Sequence, residues 1–348
     1  MTTHQAAIIP SKGQPFIIES RPTPQPGPNE VVISVAAIAM NPVDYFQRDM
    51  GFFIANYPAI IGSDVAGTIE AVGSSVSAPF KKGVRVLAFA SSFYHQGEPN
   101  VNDYAGFQAK VLVPVEYVAV IPDTLSFVDA ATVPMAVGVA WNGWIIIGLG
   151  FSTHFSPSDK KGVVVWGAAS SMGVSAVQTA KSLGFTVYVT ASSKNFEYLK
   201  SLGATKCFDY KDPEVVSKLI DAAKADGISL NTIFRAAGDR GGSDVQAQLD
   251  IVSAFGGGSI ASAVGPLTAD TPQAEGVDIK FIVAPSDPED RAKQMTQIFH
   301  EWLTPRLASG EFVPGPKARV VGSGLGDLNK ALDILKGGVS AEKLVVEL

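Results

Sequence analysis

Apolar and polar positions along this chain follow two different periods. Up to about residue 125, short runs rich in β-branched residues are cut off by Gly, Pro or Asp: "AAIIP", "PFIIESR", "EVVISVAAIAMN", "VAGTIEAVG", "RVLAFA", "FQAKVLVP" and "YVAVIP". Such runs predict strands joined by tight turns, so residues 1–125 are expected to form a small, barrel-like β domain. "PTPQPGPNE", residues 22–30, reads as an extended connector stiffened by proline.

From about residue 126 the pattern changes. The apolar runs "VVVW", "FTVYVTA", "KCFDY", "NTIFRAA" and "GSIASAV" alternate with helix-period stretches near 172–183, 195–202, 213–225 and 243–254. That alternation predicts right-handed βαβ units and a parallel, doubly wound sheet. "DIKFIVA" at 278–284 follows, then an amphipathic stretch over 287–309, a Gly-rich turn, a helix over 325–336 and a last strand, "KLVVEL". The uncharged stretch at 130–151 has the length of a membrane span. Pro134, Asn142 and its four glycines make it a buried helix followed by a turn.

Composition narrows the function classes. Two domains are expected from 348 residues, and 46% hydrophobic with 17% charged residues is a well-buried composition. A net charge of −6 with no basic run beyond Lys160-Lys161 argues against a nucleic-acid surface. One cysteine, Cys207, excludes a disulfide framework and a Cys-rich structural zinc site. "MTTHQAAIIPSKGQPF" lacks the charged and apolar segments of a secretory signal, so the expectation is a cytoplasmic protein with no membrane partner.

The chemistry concentrates at "VVVWGAASSMGVSAVQTAKSLG", residues 163–184. A parallel strand entering a helix through small residues aims backbone N–H groups and the helix dipole at an anion. The Gly-x-Gly-x-x-Gly frame reads Ala168, Ala169, Ser170, Ser171, Met172, Gly173, keeping its last glycine. Phosphate cradle and plain βα turn both fit this stretch alone. About 20 residues on, where an NAD site carries an acid for the ribose hydroxyls, "TASSKNF" offers Ser192, Ser193, Lys194 and Asn195. Donors there suit a 2′-phosphate, and together with the turn they point to NADP(H).

"NPVDYFQRD" (41–49), "YPAIIGSDVAGTIEAVG" (57–73), "AATVPMAVGVAWNGW" (130–144), the phosphate turn and "SAEKLVVEL", in this order, resemble landmarks of the medium-chain dehydrogenase/reductase superfamily. Within it the chain is most similar to the zinc-free quinone and enoyl reductase branch, and to fungal trans-acting enoyl reductases of polyketide pathways. The resemblance implies an α/β fold in three segments. A GroES-like catalytic domain begins at 1–125, a Rossmann-type doubly wound cofactor domain fills 126–285, and 286–348 returns to the catalytic domain.

Zinc-dependent members hold their metal at positions matched here by Asn41, Ser63 and Ala136. Neutral Asn and Ser are poor zinc ligands and Ala has no donor, so no metal is expected. Two carboxylates, Asp44 and Asp64, stand nearby in sequence as separate groups. Without a Lewis acid, the implied reaction is hydride transfer from NADPH to the β-carbon of an enone or enoyl thioester. A quinone as acceptor, or NADPH binding with little turnover, are the competing expectations.

The resemblance places Asn41, Pro42 and Asp44 beside the nicotinamide end and Ala168, Ala169, Ser170 and Ser171 at the pyrophosphate. It gives the 2′-phosphate to Ser192, Lys194, Asn195 and Tyr210, and adds Ala263, Val264 and Lys343 to the cofactor contacts. Tyr210 also fits a plain strand-end aromatic, and Lys343 a solvated tail lysine. Many relatives carry a lysine two residues after the Asp44 position, where Phe46 stands here. Tyr45 is the candidate for a catalytic polar group. Arg235 fits either an anionic substrate or a core pair. A polyketide synthase is a candidate partner. Monomer and homodimer both stay open, because "VDIKFIVA" can pair across a dimer edge or be blocked by Asp278 and Lys280.

Overall fold

The computed structural model describes residues 2–239, 242–265 and 268–348. It divides into two compact units: Met1–Met135 with Asp287–Leu348, and Ala136–Ser286. The first boundary falls ten residues later than the sequence suggests. The short helix Phe127–Ala130 packs on the strands of the first unit, and so lies within it.

In the first unit, β1 (Thr3–Ile8) and β2 (Ile17–Pro22) form an antiparallel pair. A larger sheet is built from β3 (Glu30–Ala39), β4 (Asp64–Val72), β5 (Arg85–Phe89), β6 (Lys110–Pro114) and β7 (Val118–Val120). Two strands from the far end of the chain join it, β14 (Lys317–Ser323) and β15 (Glu342–Glu347), in the order β14-β15-β3-β4-β5-β7 with β6 also on β3. All seven apolar runs read as strands in the first third of the chain are strands.

Two elements of this unit were not legible as such. The stretch before residue 325 is not only a turn but carries β14. Lys317, Arg319 and Val320 of that strand are exposed at the sheet border, so no core-facing alternation marks it. The helix Pro42–Met50 buries Asp44, Gln47 and Arg48, a polar face at helical spacing that a search for apolar periodicity passes over.

The second unit holds β8 (Gly162–Trp166), β9 (Thr186–Ala191), β10 (Lys206–Asp209), β11 (Thr232–Arg235), β12 (Gly258–Ser262) and β13 (Val277–Phe281). All pair in parallel in the order β10-β9-β8-β11-β12-β13. Renumbered within the unit this is 3-2-1-4-5-6, the doubly wound order of dinucleotide-binding sheets. β8 is buried along its whole length, as a central parallel strand covered by helices on both faces must be. One core cluster under it packs Val164, Tyr188, Leu219, Ile233, Leu249 and Ile260. The 130–151 stretch contains the helix Pro134–Ile146, and among the described residues no helix is long and apolar enough to cross a membrane.

Candidate functional site

Two groups of expected site residues come together, each within its own unit. The first gathers where β3 ends. Ala39 pairs with Val345 across the antiparallel β3–β15 ladder, and Met40 donates its N–H to Leu344 O at 2.9 Å. Continuing that register sets Lys343 opposite Asn41. Ala39 also pairs with Asp64, the first residue of β4. Three neighbouring strands thus deliver Asn41, Asp64 and Lys343 to one place.

Their side chains are joined. Lys343 Nζ donates to Asn41 Oδ1 at 2.5 Å and to Asp64 Oδ2 at 3.0 Å, and Asn41 Nδ2 donates to the same Asp64 oxygen at 2.9 Å. The other Asp64 oxygen accepts the backbone N–H of Met135 at 2.7 Å. Lys343 is 3% exposed, Asn41 4% and Asp64 0%. The partners fix which way the amide faces: flipping Asn41 would turn its NH2 toward an ammonium and its carbonyl toward a carboxylate.

Asn41 also opens the helix Pro42–Met50. Its backbone is extended, Pro42 occupies the first turn, and Asp44 Oδ2 accepts the Asn41 N–H at 2.7 Å. Asp44 is fully buried and its Oδ1 has no hydrogen-bond partner, as is true of the Ser63 hydroxyl. Burial raises the Asp44 carboxyl to about 7, the Asn41 N–H bond opposes that, Asp64 adds to it and Lys343 opposes it.

Tyr45 is half-buried with its ring 4.3 Å from that of Phe46, and Pro42 is exposed. Asp64 is the functional candidate that sequence reasoning saw only as an isolated carboxylate. The strand register that ties it to Asn41 and Lys343 is a property of the sheet. The aromatic residues around the landmarks divide. Phe52, Phe53, Phe93, Phe89 and Tyr94 form a chain of ring contacts in the first unit, whereas Trp141 stacks on Phe151 inside the second.

The second group lies at the carboxyl ends of β8, β9, β10 and β12. After β8 the chain turns through Gly167 (φ +78°), where a side chain would meet Ala237 Cβ at 2.6 Å. Ser170 caps the helix Ser171–Ser182: its hydroxyl accepts the Gly173 N–H at 3.1 Å and donates to Gly167 O at 2.9 Å. A Cβ on Gly173 would stand 2.6 Å from Ala168 Cα, so the retained glycine is what lets the helix start this close to the strand. The Ser170 hydroxyl is therefore engaged in the cap. The helix's first N–H groups and the Ser171 hydroxyl are the donors the turn presents.

Asp209 of β10 pairs with Ala191 of β9, so the next residues, Tyr210 and Ser192, lie side by side at the strand ends. Lys194 is exposed, Tyr210 is 49% exposed and Asn195 is buried. No acid ends β9. Arg235 is a core pair: it holds Asp244 through two bonds of 3.0 and 2.6 Å. A third, at 3.1 Å to Val264 O, fixes the loop of Ala263 and Val264 after β12. At the sheet edge, Asp278 and Lys280 pair with each other at 3.2 Å.

Comparison with known proteins matches both units. Residues 27–123 fit the family model for the alcohol dehydrogenase GroES-like domain, and residues 171–272 that for zinc-binding dehydrogenase. The chain is 43% identical over 348 residues to trans-enoyl reductase tndF of Aspergillus flavipes, covering 99% of each. It is 51% identical over 232 residues to trans-enoyl reductase tazE of Aspergillus terreus, covering 66% of this chain and 76% of that one. Among solved structures, the CurK enoyl reductase superposes with a TM-score of 0.72 at 21% identity, covering 99% of each chain.

Proposed function

The chain belongs to the medium-chain dehydrogenase/reductase superfamily, and from that premise we propose that it is an NADPH-dependent enoyl reductase acting on an enoyl thioester carried by a polyketide synthase partner. The observation that carries this reading is the likeness to a trans-enoyl reductase over the whole length of both chains. Bound NADPH would supply a hydride to the β-carbon. The substrate C=C electron pair then moves to the carbonyl oxygen as an enolate, and a proton completes the α-carbon.

The residues at hand suit each end of such a cofactor. The N-terminus of the helix Ser171–Ser182 and the glycines at 167 and 173 would take the pyrophosphate, with Ala168 and Ala169 leaving room. Ser192, Lys194 and Tyr210, beside the end of β9, which carries no acid, would take a 2′-phosphate. Asn41 and Asp44 would stand at the nicotinamide end, and Tyr45 is the polar candidate for the proton.

A zinc ion does not fit the positions that hold it in zinc-dependent members. Ala136 offers no donor, the Asn41 carbonyl oxygen already takes an ammonium, and both Asp64 oxygens are engaged. An ammonium at this distance opposes a second cation electrostatically. Among the described residues no group of three or more His, Cys, Asp or Glu is placed to hold a metal ion. No step here runs through zinc.

The test uses NADPH deuterated at the transferable ring position, with an enoyl thioester, a small enone and a quinone as acceptors. The expected product of the first two carries deuterium on the β-carbon. An allylic alcohol deuterated at the former carbonyl carbon would overturn the reading, and turnover of quinone alone would make the protein a quinone reductase.

A further inference from the structure

We propose that Lys343 is a positioning residue, which holds the Asn41 amide in one orientation by supplying, from within the chain, the positive charge that zinc-dependent members place at the same three segments with a metal. The inference rests on the reductase reading above and deepens it. Three observations carry it. First, the segments matched to the metal positions are tied together by this one ammonium and its carboxylate. Lys343 bonds Asn41 directly, Asp64 adjoins Ser63, and Asp64 holds the N–H of Met135, the neighbour of Ala136. Second, Lys343 is 3% exposed and its ammonium is bonded to two side chains of its own unit, which is unusual for a lysine whose task is to meet a cofactor phosphate. Third, Asn41 Oδ1 and one Nδ2 proton are spent on Lys343 and Asp64, which leaves the second Nδ2 proton with a defined direction. A neutral donor held this way stabilises developing negative charge without reorienting when the reaction occurs.

The consequence is a division between turnover and binding. Lys343→Met should lower kcat roughly ten- to hundredfold, the loss expected when one charge-assisted bond no longer fixes the amide, while the NADPH dissociation constant stays within about threefold. Asn41→Ala should show a similar fall in kcat. In the Asn41→Ala background Lys343→Met should add little, because the lysine acts through the amide. Lys343→Met leaves Asp64 buried without its partner; where that variant does not fold, Lys343→Met with Asp64→Asn removes both charges and keeps an acceptor for the Met135 N–H.

A readout independent of activity is hydrogen exchange at the Asn41 side-chain amide, followed by NMR. Protected protons in the parent should exchange at least about tenfold faster in Lys343→Met. A tenfold loss of NADPH affinity with kcat unchanged, or multiplicative effects in the double variant, would overturn the proposal and make Lys343 a cofactor contact. If the parent protein reduces no acceptor, the reductase reading fails. The positioning role is then decided by amide exchange and NADPH affinity alone.

Discussion

Asp44 turns the charge of the first site into something a pH titration can follow. Its carboxyl, near 3.8 in the unfolded chain, is raised to about 7 by burial. Between those values the folded protein holds a proton that the unfolded chain has released, so the contribution of Asp44 to folding is greatest below about pH 4. That contribution is lost as pH rises through about 7. At full extent it is of order 4 kcal/mol. Asp44→Asn keeps an acceptor for the Asn41 N–H but cannot ionise. Its urea midpoint should therefore fall less steeply than the parent's between pH 5 and 7, and parallel curves would place the proton elsewhere. Asn41, Asp44 and Lys343 were legible in the sequence because each sits in a recognisable landmark. Asp64 was not legible as their partner: it lies 23 residues from Asn41 and 279 from Lys343, and only strand pairing brings them together.

The loops that follow β9 and β10 are where the proposed preference for NADPH over NADH is tested. The ladder between these strands puts Tyr210 next to Ser192, and Lys194 stands exposed one turn on. Lys194→Ala should weaken NADPH binding roughly ten- to hundredfold, the worth of one charge-assisted phosphate contact, and leave NADH nearly unchanged. Equal losses for both cofactors, measured by fluorescence titration, would move the 2′-phosphate elsewhere. At this level most of the fold could be read in advance. Each run read as a strand in the second unit is a strand of the parallel sheet, most plainly β8 and β9, where burial on both faces is written directly into the residues. β14 and the helix Pro42–Met50 escaped for the opposite reason. One faces solvent and the other buries Asp44, Gln47 and Arg48, whose Arg48 pairs with Asp49 at 2.7 Å and Asp333 at 2.6 Å.

The chain leaves its first unit at Met135 and returns at Asp287, and the returning segment is not peripheral. β15 lies inside the large sheet, between β14 and β3, and brings Lys343 with it. A chain ended after residue 340 would leave β14 without its partner, open the β3 edge and strip Asp64 of its counter-charge. We expect that chain to aggregate rather than to give a monodisperse peak in size exclusion, and a soluble product with the parent's melting profile would show that β15 is dispensable.

The same interleaving sets an order of events on the ribosome. β3, β4 and β5 emerge early, but the strand that completes their sheet follows only after residues 136–286 have been made. At typical synthesis speeds the unfinished sheet waits roughly 10–40 s for β15. Until β15 is made, Ala37–Ala39 of β3 lack their partner and Asp64 has no ammonium beside it, whereas the second unit, continuous in sequence, has all its strands before β15 begins. The cluster of Asn41, Asp64 and Lys343 is thus the last part of the large sheet to become whole, and until then the nascent first unit is the one more exposed to misassembly.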